Sequence, residues 1–111
     1  MKINARAKGH TYEREIAKWW RDRGFENCKT SRYESKMLDD LKVDLTNTNP
    51  FNCQLKAVEN LGSIHKVLDS MPKDSNYNLV FHKKTRQGTI VAMSLDSFKE
   101  LIDMLKLNKI I

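Results

Sequence analysis

The chain predicts an α/β domain: a mixed sheet flanked by helices, with an extra strand and a C-terminal helix beyond an α-β-β-β-α-β core. Apolar residues recur at helical spacing in three separate segments. Short strand-forming runs stand between them, bounded by Gly, Pro and Asn turn signals. The 111 residues contain no internal repeat, low-complexity tract or long linker, so one domain over 1–111 is expected.

The first helix spans about Ala5 to Arg23, with Tyr12, Ile16, Trp19 and Trp20 at helical spacing and Gly24 as its stop. Trp19 and Trp20 read as core rather than as stacking platforms. Its apolar stripe centres near Ile16, so Glu13 lies about 60° away and can face the sheet, while Glu15 meets solvent. Asn27 to Ser31 reads as a short strand, and Arg32 to Lys42 as a polar connection anchored by Met37, Leu38 and Leu41. A hairpin over Val43–Leu45 and Cys53–Lys56 turns around Thr48-Asn49-Pro50. Ser63 to Met71 is a helix, with Ile64, Val67, Leu68 and Met71 at i, i+3, i+4, i+7 and Pro72 ending it. Tyr77–His82 and Thr89–Ser94 pair through Thr85-Arg86-Gln87-Gly88. A last helix, capped by Ser94 or Asp96, carries Phe98, Leu101, Ile102 and Leu105 inward. The apolar tail Ile110-Ile111 is a dimer contact or a frayed end.

The net charge of +6 favours an anionic partner, nucleic acid or an acidic membrane surface, over a merely solvated basic exterior. No stretch approaches the roughly 20 apolar residues of a membrane span. Met1 to Lys8 is basic without an apolar run behind it, so no secretory signal is expected. Cys28 and Cys53 lack CxxC spacing and read as reduced, buried thiols of a cytoplasmic protein. His10, His65 and His82 are too scattered for zinc.

The chemistry-bearing residues lie in the first hairpin. Asp44 and Gln54 are equidistant from Asn49 and so stand roughly opposite each other. Lys56 shares their face, while Phe51, Cys53, Leu55 and Ala57 point the other way. Oxygen donors of this kind suit magnesium: the Asp44 carboxylate, the Gln54 amide oxygen, the Leu55 backbone carbonyl and the Glu13 carboxylate. The cation would polarise a phosphodiester and acidify a water, with Lys56 orienting that water or stabilising the transition state. Singly, each residue also has a plain reading. Asp44 suits an exposed strand edge, Lys56 a lysine that discourages edge pairing, and Glu13 an ion pair on its own helix. Their combination points to a site.

Lys8-Gly9-His10-Thr11-Tyr12-Glu13-Arg14-Glu15-Ile16 resembles the opening helix of the archaeal and phage-type Holliday junction resolvases. Val43-Asp44 and Gln54-Leu55-Lys56 resemble the remaining catalytic pieces of the wider PD-(D/E)xK nuclease superfamily. The motifs cover about residues 8 to 58. The resemblance implies a restriction-endonuclease-like core, hydrolysis with Mg2+ (Mn2+ substituting), and a homodimer. It carries catalytic roles to Glu13, Asp44, Gln54 and Lys56. It places Ser31, Arg32 or Ser35 against the scissile phosphate or the metal. Val43 replaces the motif's proline, and Gln54 stands where the family usually has an acid. A neutral amide attracts a cation less than a carboxylate, so Gln54→Glu is expected to tighten magnesium binding. A metal titration of cleavage checks this, and unchanged or weaker affinity counts against it.

Lys2, Arg6, Lys8 and Arg14 lie on or before the first helix, Lys29, Arg32 and Lys36 before the hairpin, and Lys83, Lys84 and Arg86 at the second hairpin tip. Such residues suit phosphate contacts, which position DNA without reading its sequence. No helix-turn-helix or zinc-finger pattern is present. The expected function is a structure-selective endonuclease on branched DNA, resolving four-way junctions. The alternatives are a restriction-like or repair nuclease on duplex DNA and a non-catalytic DNA-binding module of the same fold.

Overall fold

Asn4 opens the first helix: its side-chain oxygen accepts the Ala7 N–H at 3.1 Å and satisfies one of the donors a helix start leaves open. The protein is described by a computed structural model covering residues 4–111, so Lys2 and the start of the Met1–Lys8 segment lie outside the described residues. The elements in chain order are α1 (Ala5–Asp22), β1 (Lys29–Thr30), α2 (Ser31–Glu34), α3 (Lys36–Asp40), β2 (Leu45–Thr46), β3 (Phe51–Lys56), α4 (Ile64–Asp69), β4 (Tyr77–Lys84), β5 (Gly88–Ala92) and α5 (Leu95–Leu107).

β3 pairs in parallel with β4, and β4 antiparallel with β5, giving a mixed three-stranded sheet of order β3-β4-β5. Parallel neighbours need a crossover, and the segment carrying α4 supplies it and packs on β4. β1 and β2 form a separate antiparallel pair, Lys29 opposite Thr46 and Thr30 opposite Leu45. The fold is thus an α/β domain with a mixed sheet and helices. No helix among the described residues is long and apolar enough to cross a membrane.

Strand alternation sorts β3 as the sequence requires. Cys53 and Leu55, with Leu79 and Phe81 of β4, join Tyr12, Ala17 and Trp20 of α1 in the core, and Ile16, Phe51 and Ala57 pack against it. The opposite face carries Asn52 and Gln54, which are also buried. Burial lifts the thiol pKa of Cys28 to about 11 and of Cys53 to about 12. Both thiols are free and buried. Iodoacetamide at mildly alkaline pH is therefore expected to spare both cysteines in the folded chain and label both in urea. Mass spectrometry reads the outcome, and rapid labelling without urea would contradict the packed core.

Five local expectations are corrected. The first strand stops at Thr30, because Ser31 starts a helical turn. The stretch 32–42 is α2 and α3 rather than an irregular connection, since Ser35 caps α3 by accepting the Leu38 N–H. Met37 and Leu41 are exposed, so of the three expected anchors only Leu38 is part-buried. Trp19 remains 43% exposed, with the Arg23 guanidinium 4.5 Å from its ring centroid, whereas Trp20 is buried. Finally, α5 begins where Ser94 accepts the Ser97 N–H, but it buries no residue: Phe98 is exposed, and Leu101, Ile102 and Leu105 are part-buried. An apolar stripe reports that a helix has a face to cover, not that the same chain covers it.

Candidate functional site

Asp44 is fixed by its own backbone. Its N–H donates to the Cys53 carbonyl at 2.7 Å, and its carbonyl accepts the Ser31 N–H at 2.8 Å. These two bonds stitch the β1/α2 junction to β3 through one residue. The expected hairpin ladder is otherwise not formed: β2 takes β1 as its partner, and β3 takes β4. The opposition of Asp44 and Gln54 nevertheless holds, because the Asp44 carboxylate accepts the Leu55 N–H at 2.7 Å and lies 3.5 Å from Gln54 Nε2. In an extended strand the N–H and C=O of one residue face the same edge. The Leu55 carbonyl is therefore directed to the edge that holds Asp44.

Gln54 is only 6% exposed, and its Oε1 has no hydrogen-bond partner among the described residues. A buried, unsatisfied carbonyl-type oxygen is costly, about 1–3 kcal/mol, unless something positive meets it. Lys56, one strand repeat further on, is part-buried at the end of β3 opposite His82. No carboxylate of the described residues forms an ion pair with it.

Glu13 arrives from α1 and is held by Arg32, whose Nη2 donates to Glu13 Oε2. Arg32 Nε, also buried, has no partner among the described residues. The Arg32 guanidinium carbon lies 5.2 Å from the Tyr33 ring centroid. Nothing in the sequence pairs residues 19 positions apart; α2 brings Arg32 to the helix.

Burial raises the pKa of Asp44, opposed by the Leu55 N–H and by the charges of Lys56 and Arg32, while Asp39 pushes it further up. Burial likewise raises Glu13; Arg32 pulls it down, and Asp44 and Asp39 push it up. Asp39 is thus a neighbour of the site that sequence reading missed. Recognising Ser35 as a helix cap would have placed Asp39 on a helix ending just before Asp44. A raised folded-state pKa means that the folded chain holds the Asp44 proton more tightly than the unfolded chain. Ionised Asp44 therefore costs stability, a cost absent below the ordinary value of 3.8 and growing as pH rises through the folded value. Asp44→Asn is expected to raise the melting temperature at neutral pH, with the gain vanishing below pH 3.8. Thermal scans at both pH values check this, and a gain independent of pH would place its cause elsewhere.

The remaining candidates separate into groups. Ser31 is fully buried, and its hydroxyl donates to the Val43 carbonyl at 2.6 Å, so it braces the Asp44 segment instead of facing DNA. Ser35 caps α3. Lys29 pairs with Glu34 and Lys36 with Asp40 at the surface. Arg14 is exposed and reaches Thr11. Lys8 pairs with Glu59 and Lys83 with Glu15, and together they line a small pocket with Tyr12 and Ala57, the residue after Lys56. Such exposed pairs are worth at most about 1 kcal/mol, so these lysines are available to phosphates. Lys84 lines a groove of about 680 Å³ with Glu59, His82 and Ile90. That groove contains none of Glu13, Asp44, Gln54 and Lys56.

Among the described residues no three His, Cys, Asp or Glu side chains group tightly enough to hold a metal by themselves. The donor set at Asp44 is mixed instead: a carboxylate, the Leu55 carbonyl, the Gln54 amide, whose Nε2 faces Asp44 and whose Oε1 is the unpartnered oxygen, and, beyond Arg32, Glu13. All are hard oxygens, the type magnesium prefers, and magnesium completes its shell with water. The residues present therefore fit such an ion.

Comparison of the chain with protein-family models, with curated proteins and with solved structures finds no match.

Proposed function

We propose that this protein is a magnesium-dependent DNA endonuclease with a restriction-endonuclease-like core, acting on branched DNA and resolving four-way junctions as a homodimer. The observation that carries the reading is the meeting of Asp44, Leu55 and Gln54 at one strand edge, with the Gln54 oxygen buried and unpartnered and Glu13 bound to Arg32 alongside. The chemistry magnesium supplies in such a setting is polarisation of the phosphodiester and a lowered pKa for water. Asp44 and Glu13 would hold the cation. Lys56 donates to the phosphate oxygens as negative charge builds on them. In the reaction, the oxygen of a water bonds to phosphorus, one P–O bond to sugar breaks, and a proton ends on the leaving sugar oxygen. Lys8, Lys83 and Lys84, beyond the end of β3, supply sequence-independent backbone contacts. The apolar side chains left exposed on β5 and α5, among them Ile90, Val91, Leu95 and Phe98, support pairing of two copies. A symmetric dimer would offer one centre to each of two opposed strands.

The test incubates the purified chain and Mg2+ with an end-labelled four-way junction and a matched linear duplex. Paired cuts confined to the junction are expected. Equal cutting of the duplex would replace the junction reading with that of a general duplex nuclease. Tight binding without cleavage in Mg2+ or Mn2+ would leave a binding module.

A further inference from the structure

We propose that Arg32 couples cation binding to the arrival of a DNA phosphate, so that the site takes up the two together and neither well alone. The inference deepens the nuclease reading and rests on it. Two carboxylates, Glu13 and Asp44, stand with two fixed cations, Arg32 and Lys56. Gln54 adds no charge where an acid would have added one. The inner cluster is therefore electrically balanced, and the exposed Asp39 acts on both carboxylates from outside. A divalent cation entering alone meets no net attraction and must displace Arg32 from Glu13. That pair is substantially shielded from water, the side chains being 23% and 19% exposed, so its attraction is little screened.

Of the three buried side-chain polar atoms without a partner among the described residues, Trp20 Nε1 lies in the core, and the two at the site show what is missing. Among the described residues Gln54 Oε1 is an acceptor without a donor, and Arg32 Nε is a donor without an acceptor. A cation satisfies the first and an anionic oxygen the second. A guanidinium carries five N–H donors in a planar fork that matches phosphate. When a phosphate takes the fork, Arg32 releases Glu13, and the freed carboxylate raises the site's affinity for the cation. By linkage, the cation must tighten phosphate binding by the same factor.

Two measurements on the full chain test this without reading turnover. The first follows Mn2+ binding to the free protein by electron paramagnetic resonance, with Asp44→Asn identifying the fraction bound at this site. Arg32→Gln is expected to tighten Mn2+ binding about 5- to 150-fold, the usual span of a coupling between sites. Arg32→Lys keeps the charge and is expected to stay within about twofold of the native affinity. The second measures junction binding by fluorescence anisotropy in EDTA and in Ca2+. The native chain is expected to bind more tightly in Ca2+, and Arg32→Gln to lose that gain. Unchanged or weaker Mn2+ binding by Arg32→Gln, tightening of equal size in Arg32→Lys, or an undiminished calcium effect in Arg32→Gln each overturns the coupling. These outcomes are separable from failure of the nuclease reading. Cleavage with no coupling sinks this inference alone; coupling with no cleavage of any DNA sinks the enzymatic reading and leaves a cation-regulated binding protein.

Discussion

Lys56→Ala is expected to slow magnesium-dependent strand cleavage by about 100- to 1000-fold, the usual cost of removing one group that stabilises transition-state charge. Asp44→Asn is expected to lose at least as much. Lys56 sits at the end of β3, on the face that carries Gln54, and close enough for its charge to hold the Asp44 pKa down. Without it, the phosphate oxygens lose a donor and Asp44 ionises less readily, so both effects act in one direction. Neither change removes a buried apolar group or any of Lys8, Lys83 and Lys84, so junction affinity should fall by less than about fivefold while cleavage collapses. Single-turnover cleavage of a labelled junction and a gel-shift titration separate the two quantities. Native cleavage rates in both variants would remove these residues from the chemistry.

Trp20→Ala is expected to cost about 3–5 kcal/mol of folding stability. Trp20 is 5% exposed and touches rings on all sides: edge-on to Phe25 at 4.8 Å and Trp19 at 5.3 Å, tilted against Phe51 at 5.6 Å and Phe81 at 6.1 Å. It thus joins α1 to both β3 and β4, and its loss opens a cavity among those rings. A domain of this size has about 5–15 kcal/mol in total. The variant should therefore be partly unfolded at moderate temperature. Trp19→Ala, at a half-exposed neighbour, should cost about 1 kcal/mol. Urea denaturation of both measures the difference, and equal losses would show that the aromatic cluster does not distinguish the two positions.

Much of this architecture is legible from residue spacing. The limits of α1, the Ser94 cap, and the segregation of Cys53 and Leu55 from Gln54 on β3 all follow from periods of 3.6 and 2.0, which neighbours along the chain fix. The opposition of Asp44 and Gln54 was legible for the same reason, although the ladder expected to produce it is replaced by one backbone bond, to Cys53, and two contacts of the Asp44 carboxylate, with Leu55 N–H and Gln54. The Arg32–Glu13 pair was not legible, because α2 and α1 meet only through the packing of the whole domain. Asp39 was missed because 32–42 carries too few apolar residues to announce a helix, and only the Ser35 cap marks one.

Local order, then, was written in the chain: where the three amphipathic helices run, which strand positions share a face, and which oxygen-bearing side chains fall near one turn. Periodicity acts over a few residues and needs no partner. Partner choice was settled in three dimensions, where β2 took β1, β3 lay parallel to β4, α5 kept its apolar stripe partly open, and Arg32 closed on Glu13. Each of those depends on which distant surface best buries apolar area and satisfies a buried polar group, a competition among segments that no single stretch of sequence contains.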